Sequence, residues 1–441
     1  MLRFLIFFLL ALSPLPLASA RPIWQWTWVC VIALMTLVLC IRTLRTRLPE
    51  MPGLMRWAIG LVGGFIVWGF VQAWLPVGHF VDVGALSAEG MVPGVLSVNP
   101  SATLAVSLYF LAHLLFFICV FVTCRREQDP ARFVRNLGII VALYALYGFA
   151  VFVTGNKYIL WFEKWANPEY LTATFVNRNS FAAYAGLGLL CLLTHAHTQM
   201  RTNSINNIED LVHVFTRVWW LPVSILLVTF SLMLTGSRAG FISVALGVAT
   251  LLLLNILGGR GERTWQRKKL ISAVAITVAA IGIFSFSSDD LGDRLSVGVG
   301  NDARLAVYPL VVDAIADQPA AGFGLGTFEE SFRIYRTSTI RDLYFDRGHN
   351  DYLELAMTAG IPAALVLLLA FAMAALVLWR GWRHSRSMGP YIAPGLAAMV
   401  QLAAHSLVDF SLQMPAVSYL WVAVIAVSLA AATKRNEPRG A

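Results

Sequence analysis

The sequence predicts an all-α integral membrane protein with about twelve transmembrane helices, and three observations lead there. The 441 residues are 58% hydrophobic and only 13% charged, with a mean hydropathy of +0.70, a balance foreign to soluble domains. Apolar runs close to the ~20 residues a spanning helix needs recur along the chain, and Lys and Arg gather in alternate connections between them. The candidate spans lie roughly at 2–20, 23–41, 57–76, 102–123, 137–154, 180–196, 218–236, 239–257, 270–287, 361–379, 391–409 and 415–432.

The first run, "MLRFLIFFLLALSPLPLASA", has a basic start, an apolar core and a small-residue end. It reads either as a cleaved signal sequence or as a retained first helix, and retention is the expectation. With both termini inside, the inner segments are "IRTLRTR", "CRREQDPARFVR", "HTQMRTNSINNIEDLVHVFTR", "GGRGERTWQRKK", "WRGWRHSR" and "KRNEPR". That side then holds about 22 of the 33 Lys and Arg but about 7 of the 24 acidic residues, as the positive-inside rule requires. The net charge of +9 is therefore a topology signal, not a footprint for nucleic acid, and the surrounding partner is lipid. Trp24, Trp26, Trp28, Trp379 and Trp382 suit interfacial belts. Cys30, Cys40, Cys119, Cys124 and Cys191 fall within spans or at their inner ends, so no disulfide framework is implied.

No period repeats and no low-complexity linker divides the chain, so residues 1–441 form one polytopic domain. Its longest interruption, 288–360, is external by this topology, precedes span ten, and is too long for a simple connection. Within it "DARLAVYPLVVDAIADQP" puts Leu305, Tyr308, Val312 and Ile315 at helical spacing, predicting an amphipathic helix that the glycines of "AAGFGLGTF" then interrupt. A second external segment, 155–179, carries "GNKYILWFEKWANPEYLTATFVNRN".

Polar residues that could carry chemistry collect on this external side. Arg178 in "TFVNRNSFAAY" and Arg238 in "LTGSRAGFIS" oppose the positive-inside rule, and each precedes a helix start. A guanidinium at a membrane boundary is costly unless paired or solvated, and two of them beside positive helix ends make an anion site. The plainer explanation for either alone is a snorkelling or salt-bridged side chain. Arg304, in the long loop, is a further candidate for substrate binding.

In "RGHNDYLELAMTAG", His349 stands at a helix entry with Asn350 and Asp351 beside it. An imidazole titrating near neutrality suits a general base for a hydroxyl acceptor; Asn350 could contact substrate. Asp351 and Glu354 fall in the first helical turn, where carboxylates complement the macrodipole. In "HSLVDFSLQMP", His405 and Asp409 are four apart, placing Asp409 to orient the imidazole behind the reacting groups. Zinc-protease, P-loop and D-x-D motifs are absent, and "GSRAG" lacks nucleophile-elbow spacing. No metal or other cofactor is expected.

These segments resemble the bacterial O-antigen ligase and O-antigen polymerase family of polytopic membrane glycosyltransferases. "FVNRNSFAAY", "LTGSRAG", "GFGLGTF", "GHNDYLELAMTAGIPAALVL" and "HSLVDFSLQMPA" appear in the order that family shows, over roughly residues 140 to 420. The resemblance implies a GT-C-like fold in the bacterial inner membrane with a periplasmic active site. It implies a donor built on undecaprenyl pyrophosphate, and a glycan acceptor that is either the lipid A core or another lipid-linked repeat unit. By motif it assigns arginines on the pyrophosphate to Arg178 and Arg238, and a loop histidine near the acceptor to His349. Ligation and polymerisation, of O-antigen or of exopolysaccharide, stay open, since both present a sugar hydroxyl to one site. A polytopic transporter is the rival from another class, although polar residues gathered at one face fit it poorly.

Overall fold

The computed structural model describes residues 1–44, 50–75, 95–125, 129–202, 218–258, 303–337 and 345–434. Its elements are α1 (Leu2–Leu12), α2 (Pro22–Thr43), α3 (Gly53–Trp74), α4 (Pro100–Thr123), α5 (Asp129–Val153), a hairpin of β1 (Tyr158–Ile159) and β2 (Phe162–Glu163), α6 (Arg178–Thr202), α7 (Trp220–Leu234) and α8 (Arg238–Leu257). There follow α9 (Ala303–Asp317), α10 (Phe328–Phe332), α11 (Asp351–Ala359), α12 (Ile361–His384), α13 (Gly389–His405) and α14 (Pro415–Ala432). Helices α1–α8 and α12–α14 occupy the positions of expected spans one to eight and ten to twelve; the ninth, 270–287, lies outside the described residues. Among the described residues eight helices are long and apolar enough to cross a membrane: α2–α6, α8, α12 and α14.

The first expected span differs from its prediction. Helix α1 has 11 residues, a rise of about 16 Å against the ~30 Å of a hydrocarbon core. Pro14 and Pro16 follow it, and Leu17, Ala18 and Ser19 adopt positive φ, so the chain turns where a continuous helix was expected. Leu2, Ile6, Leu9 and Leu10 are nevertheless buried, and the Tyr144 hydroxyl donates to the Ala11 carbonyl at 2.6 Å. Trp24 and Trp26 are exposed as a belt would have them, whereas Trp28 is buried and donates from Nε1 to Ser19 Oγ at 2.7 Å.

Helices α6 and α14 form the centre of the bundle, with 83% and 94% of their spanning windows buried against 28–33% for the other six. Small residues explain the first: a methyl on Gly186 would stand 2.2 Å from Val244, and one on Gly188 2.3 Å from Val141. Neither position admits a side chain, so α5 and α8 close directly onto the α6 backbone, as small residues permit in membrane bundles. Outer helices keep large apolar side chains such as Trp57 and Leu226 exposed, which lipid would cover.

A smaller helical cap (α9–α11) sits on one end of the bundle around its own core of Val98, Val307, Val311, Phe323, Phe328 and Phe332. The amphipathic helix expected in this loop is present, but its face is rotated. Val307, Val311 and Ala314 are buried while Val312 is exposed, and the Leu305 side chain is outside the described residues. The phase follows from the packing of α9 on α11 and on the turn at Arg333–Tyr335, within a core shared with Phe323, Phe328, Phe332 and Met357. Gln72, at the end of α3, fastens the cap. Its amide donates to the carbonyls of Ala321 (2.7 Å) and Thr358 (3.0 Å), and its oxygen accepts from Leu325 N–H (3.2 Å). Gly322 turns at φ +67°, where a methyl would lie 2.5 Å from Thr358 O, so the break predicted at "GFGLG" is also a close backbone crossing.

Candidate functional site

Two arginine-bearing turns and one histidine loop meet at the end of the bundle that carries the cap. Helix α6 starts at Arg178 because Asn177 precedes it: the Asn177 side chain accepts from Asn179 N–H at 2.8 Å, and its carbonyl accepts from Phe181 N–H at 3.2 Å. Helix α8 starts at Arg238 by the same device. Ser237 Oγ accepts from Gly240 N–H at 3.1 Å, and Gly236 makes the preceding turn at φ +58°. Each guanidinium therefore hangs from the first residue of a helix, at the positive end of its dipole.

The two turns touch. The Arg178 guanidinium lies 4.1 Å above the centroid of the Tyr170 ring, a cation–π contact. Tyr170 in turn abuts the Gly236 backbone, where a methyl would stand 2.4 Å from the ring and 3.3 Å from Arg178 Nη1. Asn179 completes the join. Its Oδ1 accepts from the Ser237 hydroxyl at 2.7 Å, and its Nδ2 donates to Asp409. The motifs "VNRNS" and "TGSRA" thus interlock through the residue after one arginine and the residue before the other.

Asp409 carries the join to the histidine loop. Its second oxygen accepts from Phe410 N–H at 2.7 Å, and the Phe410 ring meets the His349 imidazole edge to face at 5.0 Å. His349 itself sits at φ +50°, a region costly for a residue with a Cβ. Its surroundings hold it there. The Tyr308 hydroxyl donates to the His349 carbonyl at 3.1 Å, and Gly348 N–H donates to Glu354 Oε2 at 2.7 Å. Arg347 pairs with the other Glu354 oxygen at 3.8 Å. Glu354, assigned only a dipole role from sequence, is thus the anchor of the loop that presents the imidazole. Burial raises its pKa, against the opposing pull of Arg347 and Gly348.

Asn350 takes a different place from the substrate contact expected of it. Its oxygen caps α11 by accepting from Tyr352 N–H (3.0 Å) and Leu353 N–H (3.1 Å), and its amide donates to the Leu407 carbonyl at 2.9 Å. Asp351 ties the same turn to the α13–α14 connection. It accepts from Ser406 Oγ at 2.7 Å and Gln413 Nε2 at 3.0 Å, and its N–H donates to Ser406 O at 2.9 Å. Burial pushes its carboxyl up to about 7, with Glu354 and Asp409 adding to the rise and the Gln413 and Ser406 donors opposing it.

The one-face helical pairing of His405 with Asp409 gives way to another arrangement. Helix α13 ends at His405, so Asp409 lies in the turn beyond it. The two His405 nitrogens lie 3.2 Å from Ser243 Oγ and 2.9 Å from Ser411 Oγ, while the Asp409 oxygens accept from Asn179 and Phe410. Buried His405 thereby ties α8 and α13 to the connection before α14. Arg304 falls in the first turn of α9, with its side chain outside the described residues. Among the described residues no three His, Cys, Asp or Glu side chains converge as a metal-ligand set.

Asn179, Tyr170, Ser406 and Gln413 escaped the sequence reading, and only Asn179 left a signal, as the polar residue after Arg178 at a helix start. No curated protein matches the chain. The O-antigen ligase family model matches residues 223–368, which take in most of α7, then α8, Arg238, the cap, His349 and the start of α12, whereas Arg178, His405 and Asp409 lie outside that stretch. Over those residues the chain resembles the O-antigen ligase family, as its motifs predicted.

Proposed function

We propose that the protein is a membrane glycosyltransferase that moves a preassembled saccharide from undecaprenyl pyrophosphate to an acceptor sugar hydroxyl on the external, periplasmic face of the bacterial inner membrane. The observation that carries this reading is the junction of the Arg178 and Arg238 helix starts with the His349 loop through Asn179, Asp409 and Phe410. In the reaction, His349 takes the proton of the acceptor hydroxyl as its oxygen attacks the anomeric carbon. The bond from that carbon to the pyrophosphate oxygen breaks, and the configuration inverts. Arg178 and Arg238 receive the charge that develops on the leaving pyrophosphate. A guanidinium fork binds two phosphate oxygens together, and each preorganised donor of this kind is worth about 3–4 kcal/mol. A positioned base adds roughly 10²–10⁴ in rate.

Purified protein given an undecaprenyl-pyrophosphate-linked saccharide and an acceptor should release undecaprenyl pyrophosphate; transport would move the lipid without cleaving it. The acceptor is read as the lipid A core. A deletion strain should then lack all long-chain polysaccharide on lipid A, whereas loss of chain length alone would make the protein a polymerase of lipid-linked repeats.

A further inference from the structure

A cavity of about 220 Å³ opens between the outer end of α5 and the segment that follows the β-hairpin. Its walls include Phe152, Lys157, Lys164, Glu169, Tyr170 and Thr172. Tyr170 is the partition between this space and the candidate site, because its ring also carries the Arg178 guanidinium at 4.1 Å. Lys164 shapes the wall by donating from Nζ to the Tyr170 carbonyl at 2.5 Å. The Thr172 hydroxyl is buried with no hydrogen-bond partner among the described residues. A buried hydroxyl left unpaired costs free energy that a ligand could recover.

We propose that this cavity is a saccharide subsite, holding one sugar ring of the donor glycan beside the pyrophosphate on Arg178. The inference rests on the glycosyl-transfer reading. Its size suits a single ring, being below the roughly 300–1,000 Å³ of pockets that enclose larger ligands. An isoprenoid unit would leave the Thr172 hydroxyl, the Lys164 ammonium and the Glu169 carboxylate facing hydrocarbon, where polar groups are costly. Glu169 disfavours a second phosphate in the same space. A sugar satisfies all of them, since its hydroxyls both donate and accept while its C–H faces pack on apolar wall residues such as Ile159 and Leu171.

The test measures binding of two probes to the full-length protein in lipid nanodiscs: bare undecaprenyl pyrophosphate, and the lipid-linked saccharide extracted from the source cell. Wild type should bind the saccharide-bearing lipid about tenfold or more tighter than the bare one. Thr172→Val keeps the side-chain shape and removes the hydroxyl, and Glu169→Gln removes the charge. Each should reduce that advantage by about fivefold and leave bare-lipid binding unchanged. Thr172→Val should unfold at or above the wild-type temperature, because it buries no unpaired hydroxyl. A saccharide advantage absent from wild type, or unchanged in both variants, overturns the subsite while the transfer reading stands. Failure of wild type to bind even bare undecaprenyl pyrophosphate overturns the transfer reading, and the subsite with it.

Discussion

Asn179 donates its side-chain amide to the Asp409 carboxylate, joining residues 230 positions apart in the chain. The same amide group accepts the Ser237 hydroxyl, so one side chain locks the starts of α6 and α8 to the α13–α14 connection. Asn179→Leu should therefore remove both bonds and leave the fully buried Asp409 carboxylate, among the hydrogen bonds of the described residues, with the Phe410 N–H. The expected cost is about 1–3 kcal/mol, read as a lower unfolding temperature in detergent. Asp409→Asn in the same chain should cost less than in wild type, because two residues in one network do not act additively.

Arg178 and Arg238 should separate by their effects on binding and turnover. Arg238→Lys keeps the charge and loses the fork, so turnover should fall about tenfold or more, on the order of 1.4 kcal/mol. Arg178→Ala should weaken donor binding as well as turnover, since the pyrophosphate is present in both ground and transition states. Donor affinity measured with undecaprenyl pyrophosphate, beside single-turnover transfer, distinguishes the two. An Arg238→Lys protein with wild-type turnover would remove that residue from the reaction.

His349 carries two predictions because its side chain and its backbone do different things. His349→Ala should retain donor binding and lose roughly 10²–10⁴ of the transfer rate. His349→Gly should lose transfer equally but be more stable than His349→Ala by about 1 kcal/mol, since glycine adopts the φ of +50° without steric cost. Equal unfolding temperatures for the two variants would mean that the loop relaxes away from the left-handed conformation.

Asp351 gives the fold a pH dependence of defined sign. Its carboxyl titrates at about 7 in the folded protein and near 3.8 when unfolded. Between these values the folded state holds the proton that the unfolded state has released, so stability falls as pH rises through the window. Glu354 is shifted in the same direction. Unfolding temperature should drop from pH 5 to pH 8, and Asp351→Asn should flatten the drop by the Asp351 share. An unchanged slope in that variant would place the titration elsewhere.

The topology can be checked from the hairpin and the α12–α13 turn. In a background without native cysteines, Lys157→Cys should react with a membrane-impermeant thiol reagent in intact spheroplasts, and Ser385→Cys should be protected. The reverse pattern would put the arginine and histidine junction on the cytoplasmic side.

The sequence by itself determined the helical membrane architecture, because high mean hydropathy and recurring apolar runs are legible along the chain and need no partner. It also determined that Arg178 and Arg238 begin helices, since Asn177 and Ser237 cap through bonds made within three or four residues. Local chemistry of that kind is legible along the chain. The face of α9 and the separation of His405 from Asp409 were settled by packing, whereas the break at Pro14 and Pro16 after α1 and the Asn350 cap on the N–H groups of Tyr352 and Leu353 are local features that the sequence reading passed over. In both packed cases the deciding partner lies outside the element itself: the shared cap core and α11 for α9, and Ser243 for His405. The meeting of two arginine turns with a histidine loop belongs wholly to the tertiary structure. It depends on Asn179 reaching both Ser237 and Asp409, and on Phe410 meeting His349. Hydrogen bonds and ring contacts between residues 58 to 230 positions apart leave no periodicity to read, and only folding brings their partners within reach.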